Sequence, residues 1–146
     1  MQKEILLGFL DQNRKGCQAT FKNITEENAT FRLTEKTASV GFIYQHIGET
    51  ANILGQAFGI ETNVENTTIG QSDTGTKYDL ETSHQLIEQG YQILESAIKN
   101  ISDENWLEEI EAPFFGKIQR LKLFSIILFH NSHHCGQIAS AIVKGN

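Results

Sequence analysis

The stretch Leu121-Lys122-Leu123-Phe124-Ser125-Ile126-Ile127-Leu128-Phe129-His130-Asn131-Ser132-His133-His134-Cys135-Gly136-Gln137-Ile138-Ala139-Ser140-Ala141-Ile142-Val143 decides how the rest of the chain is read. It contains no proline and reads as one helix, from Lys117 to Val143 and closing at Gly145. With His130 set at zero and about 100° per residue, Leu123 and Ala141 fall at about 20°, Ile127 at about 60° and Ile138 at about 80°. Phe124 and Ile142 follow at about 120°, Leu128 at about 160°, so one continuous arc is apolar. His134, at about 40°, lies inside that arc, and His130 sits at its edge. His133, at about −60°, shares the polar side with Lys122, Ser140 and Lys144.

A helix with one apolar face needs partners, and three further segments supply them. Gln2 to Phe21 places Ile5, Leu6, Phe9, Leu10, Cys17 and Phe21 at helical spacing. A second helix starts near Thr37 or Ser39, both good caps, and runs to Phe58. A third runs from Asp79 to Asn100. The polar stretch Thr25 to Lys36 and the Gly-, Asn- and Thr-rich stretch Gly59 to Lys77 read as loops, the second a long crossover between helices 2 and 3. Ser102-Asp103-Glu104 opens a short turn through Trp106, and Glu111 to Gly116, with Pro113, reads as a loop. Strand patterning is weak; Thr67 to Ile69 is too short to count. The expected fold is all-α: a four-helix bundle forming one domain over residues 1–146.

Composition narrows the function classes. Twelve basic against eighteen acidic residues leave a net charge of −6, with 21% charged residues. That balance disfavours a nucleic-acid backbone as partner. The N-terminal apolar run Ile5 to Leu10 is interrupted by Gly8 and lacks the length of a signal peptide or a membrane span. Two cysteines, Cys17 and Cys135, are too few for a disulfide scaffold. The expectation is a cytoplasmic protein with neither membrane nor nucleic-acid partner.

The histidines carry the chemistry. His130 and His134 stand one turn apart, which places their Cβ atoms about 5–6 Å from each other. On the second helix, Ile43, Ile47, Ala51, Ile53, Leu54 and Phe58 define an apolar arc that includes His46. A third imidazole from a facing helix would complete a three-nitrogen face with coordination positions left free. A core-facing histidine is more often a hydrogen-bonded packing residue, so neither element alone decides for a metal. A metalloprotease is disfavoured, because Asn131 stands where that motif needs Glu.

Ser39-Val40-Gly41-Phe42-Ile43-Tyr44-Gln45-His46-Ile47-Gly48-Glu49, followed by His130-Asn131-Ser132-His133-His134-Cys135-Gly136-Gln137-Ile138, resembles the DinB/YfiT-like superfamily. The downstream block is close to that family's H-x-x-H-H-R-G-Q-I pattern. The resemblance implies a four-helix bundle, usually a homodimer, and a divalent metal held by three histidines, which map onto His46, His130 and His134. It departs at Cys135, where the family usually has Arg; at about 140° on the wheel, Cys135 reads as a small packed apolar residue. The implied activities include thiol-dependent isomerases and transferases that join a low-molecular-weight thiol to a small electrophile, and many relatives have no known activity. Imidazole ligation suits zinc or nickel first, with iron or manganese behind them.

Three residues are candidates to support the ligands. Asn131, at about 100°, is expected to be buried, bonded to a ligand histidine, a substrate or a helix carbonyl. Gln137 lies one turn beyond His134, as support or as a solvated side chain. Glu49 reads as a solvated border residue, with fourth ligand or general base as the rival reading. Gly136, costly inside a helix by about 1 kcal/mol, suggests a close helix–helix contact. His84 reads as a surface residue, and Trp106, Phe114 and Phe115 as a cover over one end of the bundle. Two functions remain open: a metal-dependent thiol transferase or isomerase, and a non-catalytic metal-binding stress or scaffold protein.

Overall fold

The computed structural model describes residues 2–146. Four helices form the frame: α1 (Gln2–Phe21), α2 (Val40–Gly55, extended by a 3-10 turn, Gln56–Phe58), α3 (Leu80–Asn100) and α4 (Arg120–Lys144). α2 packs against α3 and α4, and α1 packs against the same two helices, so the bundle is ordered α1–α3–α2–α4 around its axis. No helix among the described residues is long and apolar enough to cross a membrane.

Local chemistry starts the helices where they start. The Ser39 hydroxyl accepts from the Phe42 amide and caps α2, and the Asp79 carboxylate accepts from the Thr82 amide to cap α3. Ser39 is itself held from outside: its amide and hydroxyl both donate to Asp73 Oδ2, at 2.8 and 2.7 Å. Arg32 meets the same oxygen at 2.8 Å. Asp73 therefore pins the long loop between α2 and α3 to the start of α2.

α2 is buried nearly all round, with Ile47 and Val40 at zero exposure. It approaches α3 closely because glycines line the seam. A Cβ on Gly48 would lie 2.7 Å from Leu86 Cβ, and one on Gly90 would lie 2.6 Å from Ala51 Cβ. Such positions admit no side chain without separating the backbones. Leu123, Phe124, Ile127, Ile138 and Ala141 of α4 meet this core, as their shared arc requires. On α1, Leu6, Leu10, Cys17 and Phe21 point inward, whereas Ile5 and Phe9 are exposed; the buried stripe is narrower than the sequence suggests.

The region read as a loop around Pro113 is a β-hairpin. β1 (Glu109–Ala112) pairs antiparallel with β2 (Gly116–Gln119), Ile110 opposite Ile118. Its turn is closed by the Phe115 amide donating to the Ala112 carbonyl at 3.2 Å, with Pro113 second and Phe114 third. Phe114 has φ 67°, a left-handed conformation costly for a bulky residue. α4 accordingly begins at Arg120 rather than Lys117. Trp106 does cap the bundle, buried between Phe58 and Phe124 at ring separations of 5.8 and 5.7 Å. Phe114 and Phe115 do not share that role: both are exposed, carried outward on the hairpin tip.

Candidate metal centre

His46 comes from the middle of α2, and His130 and His134 come from consecutive turns of α4. The packing of α2 on α4 brings them together: one ring nitrogen from each lies within 4.8 Å of the other two. His46 Nε2 and His130 Nε2 are 3.0 Å apart. All three side chains are half-buried. His133, on the outer side of α4, stays out of the cluster; it is exposed and stacked on Phe129.

The surroundings set which nitrogen of each ring is free. The Glu49 carboxylate accepts from the Thr68 hydroxyl at 2.6 Å and the Thr68 amide at 2.9 Å. It also accepts from the Thr67 hydroxyl at 2.5 Å, the Thr67 amide at 2.9 Å and the Gln45 side-chain amide at 2.9 Å. The single Thr68 hydroxyl proton is thus committed to Glu49. His46 Nδ1, 3.2 Å from that hydroxyl oxygen, must then be the donor. Its proton is fixed on Nδ1, and Nε2 carries a lone pair that points into the cluster.

His134 obeys the same logic with a simpler partner. Its Nδ1 lies 2.6 Å from Gln137 Oε1, an oxygen that can only accept, so Nδ1 donates and Nε2 is free. The other end of that amide faces His133 Nε2 at 3.3 Å. For His130, the buried Nδ1 has no hydrogen-bond partner within normal limits, and neither does Asn131 Oδ1. The ring's other nitrogen, Nε2, is the one that faces the cluster, 3.0 Å from His46 Nε2. His46 and His134 therefore present the same tautomer, Nδ1 protonated and Nε2 free, beside His130 Nε2, the arrangement a divalent ion requires of neutral imidazoles.

Burial keeps the rings neutral. It lowers the His46 pKa to about 4, helped by His134 and opposed in part by Glu49. Burial likewise lowers His130 to about 3, with His134 and His46 adding to the effect. His134 is also lowered, by burial first. Burial alone would push the Glu49 carboxyl up, but the hydrogen bonds from Thr67, Thr68 and Gln45 prevail and hold it below the usual carboxylate range.

Glu49 corrects the sequence reading. It is 1% exposed rather than solvated at a border, because residues Thr67 and Thr68 of the long loop fold over it. Its carboxylate does not join the three converging nitrogens and reaches His46 through Thr68. His84 is half-buried rather than a surface residue, its Nδ1 2.9 Å from the Tyr44 hydroxyl. Gly136 makes no close helix contact: a Cβ there would meet nothing within 4 Å. Asn131 is buried next to His130 in sequence, and Gln137 is bonded to His134. Sequence reasoning missed Thr68, whose partnership spans twenty-two residues through a loop, and Asn13. Asn13 Nδ2 donates to the Leu128 carbonyl at 2.8 Å and to Ser132 Oγ at 2.9 Å, and its Oδ1 accepts from Tyr91 and Asn131, bracing α4 behind His130.

Beside the cluster opens a cavity of about 640 Å³. Leu33, Phe42 and Ile43 form an apolar wall, and His46, His134 and Gln137 face it. Among the described residues no carboxylate or thiol joins the three histidines. Three imidazoles with space alongside are the donor set of an open rather than a closed metal site.

Comparison with known proteins agrees with this architecture. No curated protein matches the chain. The crystal structure of TT2238, described as a four-helix bundle protein, superposes with a TM-score of 0.65 at 16% identity, covering 92% of this chain and 95% of that one. Residues 10–138 match the family model of the DinB superfamily, a span that includes all three clustered histidines, Asn131 and Gln137. This chain belongs to the DinB superfamily.

Proposed function

We propose that the chain binds one divalent metal ion through His46, His130 and His134, with zinc or nickel foremost, and uses it to present a low-molecular-weight thiol to a small electrophile. The observation that supports this most is the convergence of one ring nitrogen from each of three histidines at the edge of a partly apolar cavity, with no fourth protein ligand among the described residues. A divalent ion in such a site stabilises a bound thiol as its thiolate at neutral pH. The chain's own residues do the rest. Thr68 and Gln137 hold the ring protons of His46 and His134 on Nδ1. Glu49 anchors Thr68. Leu33, Phe42 and Ile43 exclude water from one side of the reacting pair, which strengthens electrostatic interactions there.

Cobalt(II) substitution tests the reading. Adding a small thiol to the cobalt protein is expected to produce a sulfur-to-cobalt charge-transfer band in the near ultraviolet, in the wild type and in Cys135→Ser alike. A cobalt spectrum indifferent to millimolar thiol and to small anions would mean a closed site. The non-catalytic metal-binding reading would then replace this one.

A further inference from the structure

The cavity beside the histidines has a wall without fixed charge. Fifteen residues line it, and none of them is Asp, Glu, Lys or Arg, although those four types make up 21% of the chain. The polar groups it offers are the hydroxyls of Thr37 and Ser140 and the side-chain amides of Gln71 and Gln137, besides the imidazoles. Gln71 and Ser140 are exposed and free to turn toward an occupant. Arg32 precedes the lining residue Leu33 in sequence, yet it lines a different cavity, with Gly41 and Tyr78. Its guanidinium is held there by Asp73 at 2.8 Å and by the Thr37 carbonyl at 2.6 Å, so its charge is already paired.

A full negative charge does stand behind the histidines. The Glu49 carboxylate is 1% exposed and accepts five hydrogen bonds, from Thr67, Thr68 and Gln45. A divalent ion held by three neutral imidazoles brings two positive charges. Glu49 offsets one of them and a bound thiolate offsets the other, which leaves the loaded site neutral. A further charge on the body of the thiol would lose its hydration against this wall and find no partner in return. On the basis of the thiol chemistry proposed above, we propose that the cosubstrate is a small thiol whose remaining part is uncharged. It carries hydroxyl or amide groups, which Gln71 and Ser140 can meet, and no carboxylate, phosphate or ammonium. The uncharged wall is the element that selects it, by leaving a charged competitor unpaired.

The test titrates the cobalt(II)-loaded full chain, without oxygen and at fixed ionic strength, with two pairs of thiols matched in size. One pair is 3-mercaptopropionamide and 3-mercaptopropionate; the other is 2-mercaptoethanol and cysteamine. The sulfur-to-cobalt band reports binding, and each affinity is referred to the thiolate concentration of that thiol, which removes differences in thiol acidity. The uncharged member of each pair is expected to bind about ten-fold or more tightly than its charged counterpart. Ser140→Arg and Gln71→Arg, which place a positive charge on the wall away from the histidines, are expected to narrow the gap between amide and carboxylate several-fold. Bands of equal affinity within both pairs, or tighter binding of the charged members, would overturn this inference and leave the thiol chemistry standing. A preference for the amide untouched by both arginine variants would overturn the assignment of selection to this wall. No band with any of the four thiols would remove this inference together with the reading it rests on.

Discussion

At the scale of the residue, the site depends on where single protons sit. Thr68→Val removes the oxygen that accepts from His46 Nδ1 while keeping the shape of the side chain. Metal affinity is expected to fall by about 10–100-fold, the usual effect of losing the partner of a ligand's second nitrogen, while Thr68→Ser retains it. Competition against a chromophoric chelator measures both. Directions around the helix make a second prediction: His46→Ala, His130→Ala and His134→Ala each abolish stoichiometric binding, and His133→Ala does not. Elemental analysis of protein prepared without a nickel column decides it; an empty site in His133→Ala with a filled one in His134→Ala would reverse the assignment. The three histidines were legible in the sequence because the helical period fixes which way each side chain points. Glu49 and Thr68 were not, since the partner of each arrives from a distant loop whose path leaves no periodic trace.

At the scale of the element, identical residues carry opposite expectations. Gly48 and Gly90 sit where α2 and α3 touch, against Cβ atoms that cannot rotate away. Gly48→Ala and Gly90→Ala are each expected to cost about 1–3 kcal/mol, the usual penalty for overpacking. Gly136→Ala, facing open space, is expected to stabilise by up to about 1 kcal/mol through helix propensity alone. Urea denaturation of the three variants checks both signs. The four helices could be read from the chain to within a few residues, because their apolar periods run for several turns. The hairpin could not: two four-residue strands are too short to establish a period of two, and Pro113 masks them as a loop. The turn accepts Phe114 at positive φ, a position where Gly would relieve about 1–2 kcal/mol.

At the scale of the whole molecule, burial of the histidines ties stability to pH. An unfolded histidine titrates at about 6.5, whereas His46 and His130 in the fold titrate at about 4 and about 3. Between those values the unfolded chain takes up protons that the folded one refuses. Stability is therefore flat above about 6.5 and falls as pH drops below it, by up to about 1.4 kcal/mol per pH unit for each such histidine. Metal-free protein is expected to show this decline in its melting temperature between neutral pH and pH 4, and His130→Ala a shallower one. At neutral pH a metal-loaded form is expected to melt higher, since an ion held by three clustered imidazoles would favour the fold over the open chain. An identical melting temperature before and after verified metal removal would contradict this.

The hold of Glu49 on Thr67 and Thr68 links two events that would otherwise be separate. The loop that covers α2 is also the agent that orients His46, so the loop cannot lift without releasing the ring. Exchange of an ion held there and opening of the loop would then be a single kinetic step. Amide hydrogens of Thr67 and Thr68, shielded by one carboxylate, should exchange with solvent on the timescale at which the ion departs. Weakening that carboxylate, as in Glu49→Gln, should speed both together. Retention time would thus be governed by a loop that touches no ligand atom on the metal-facing side.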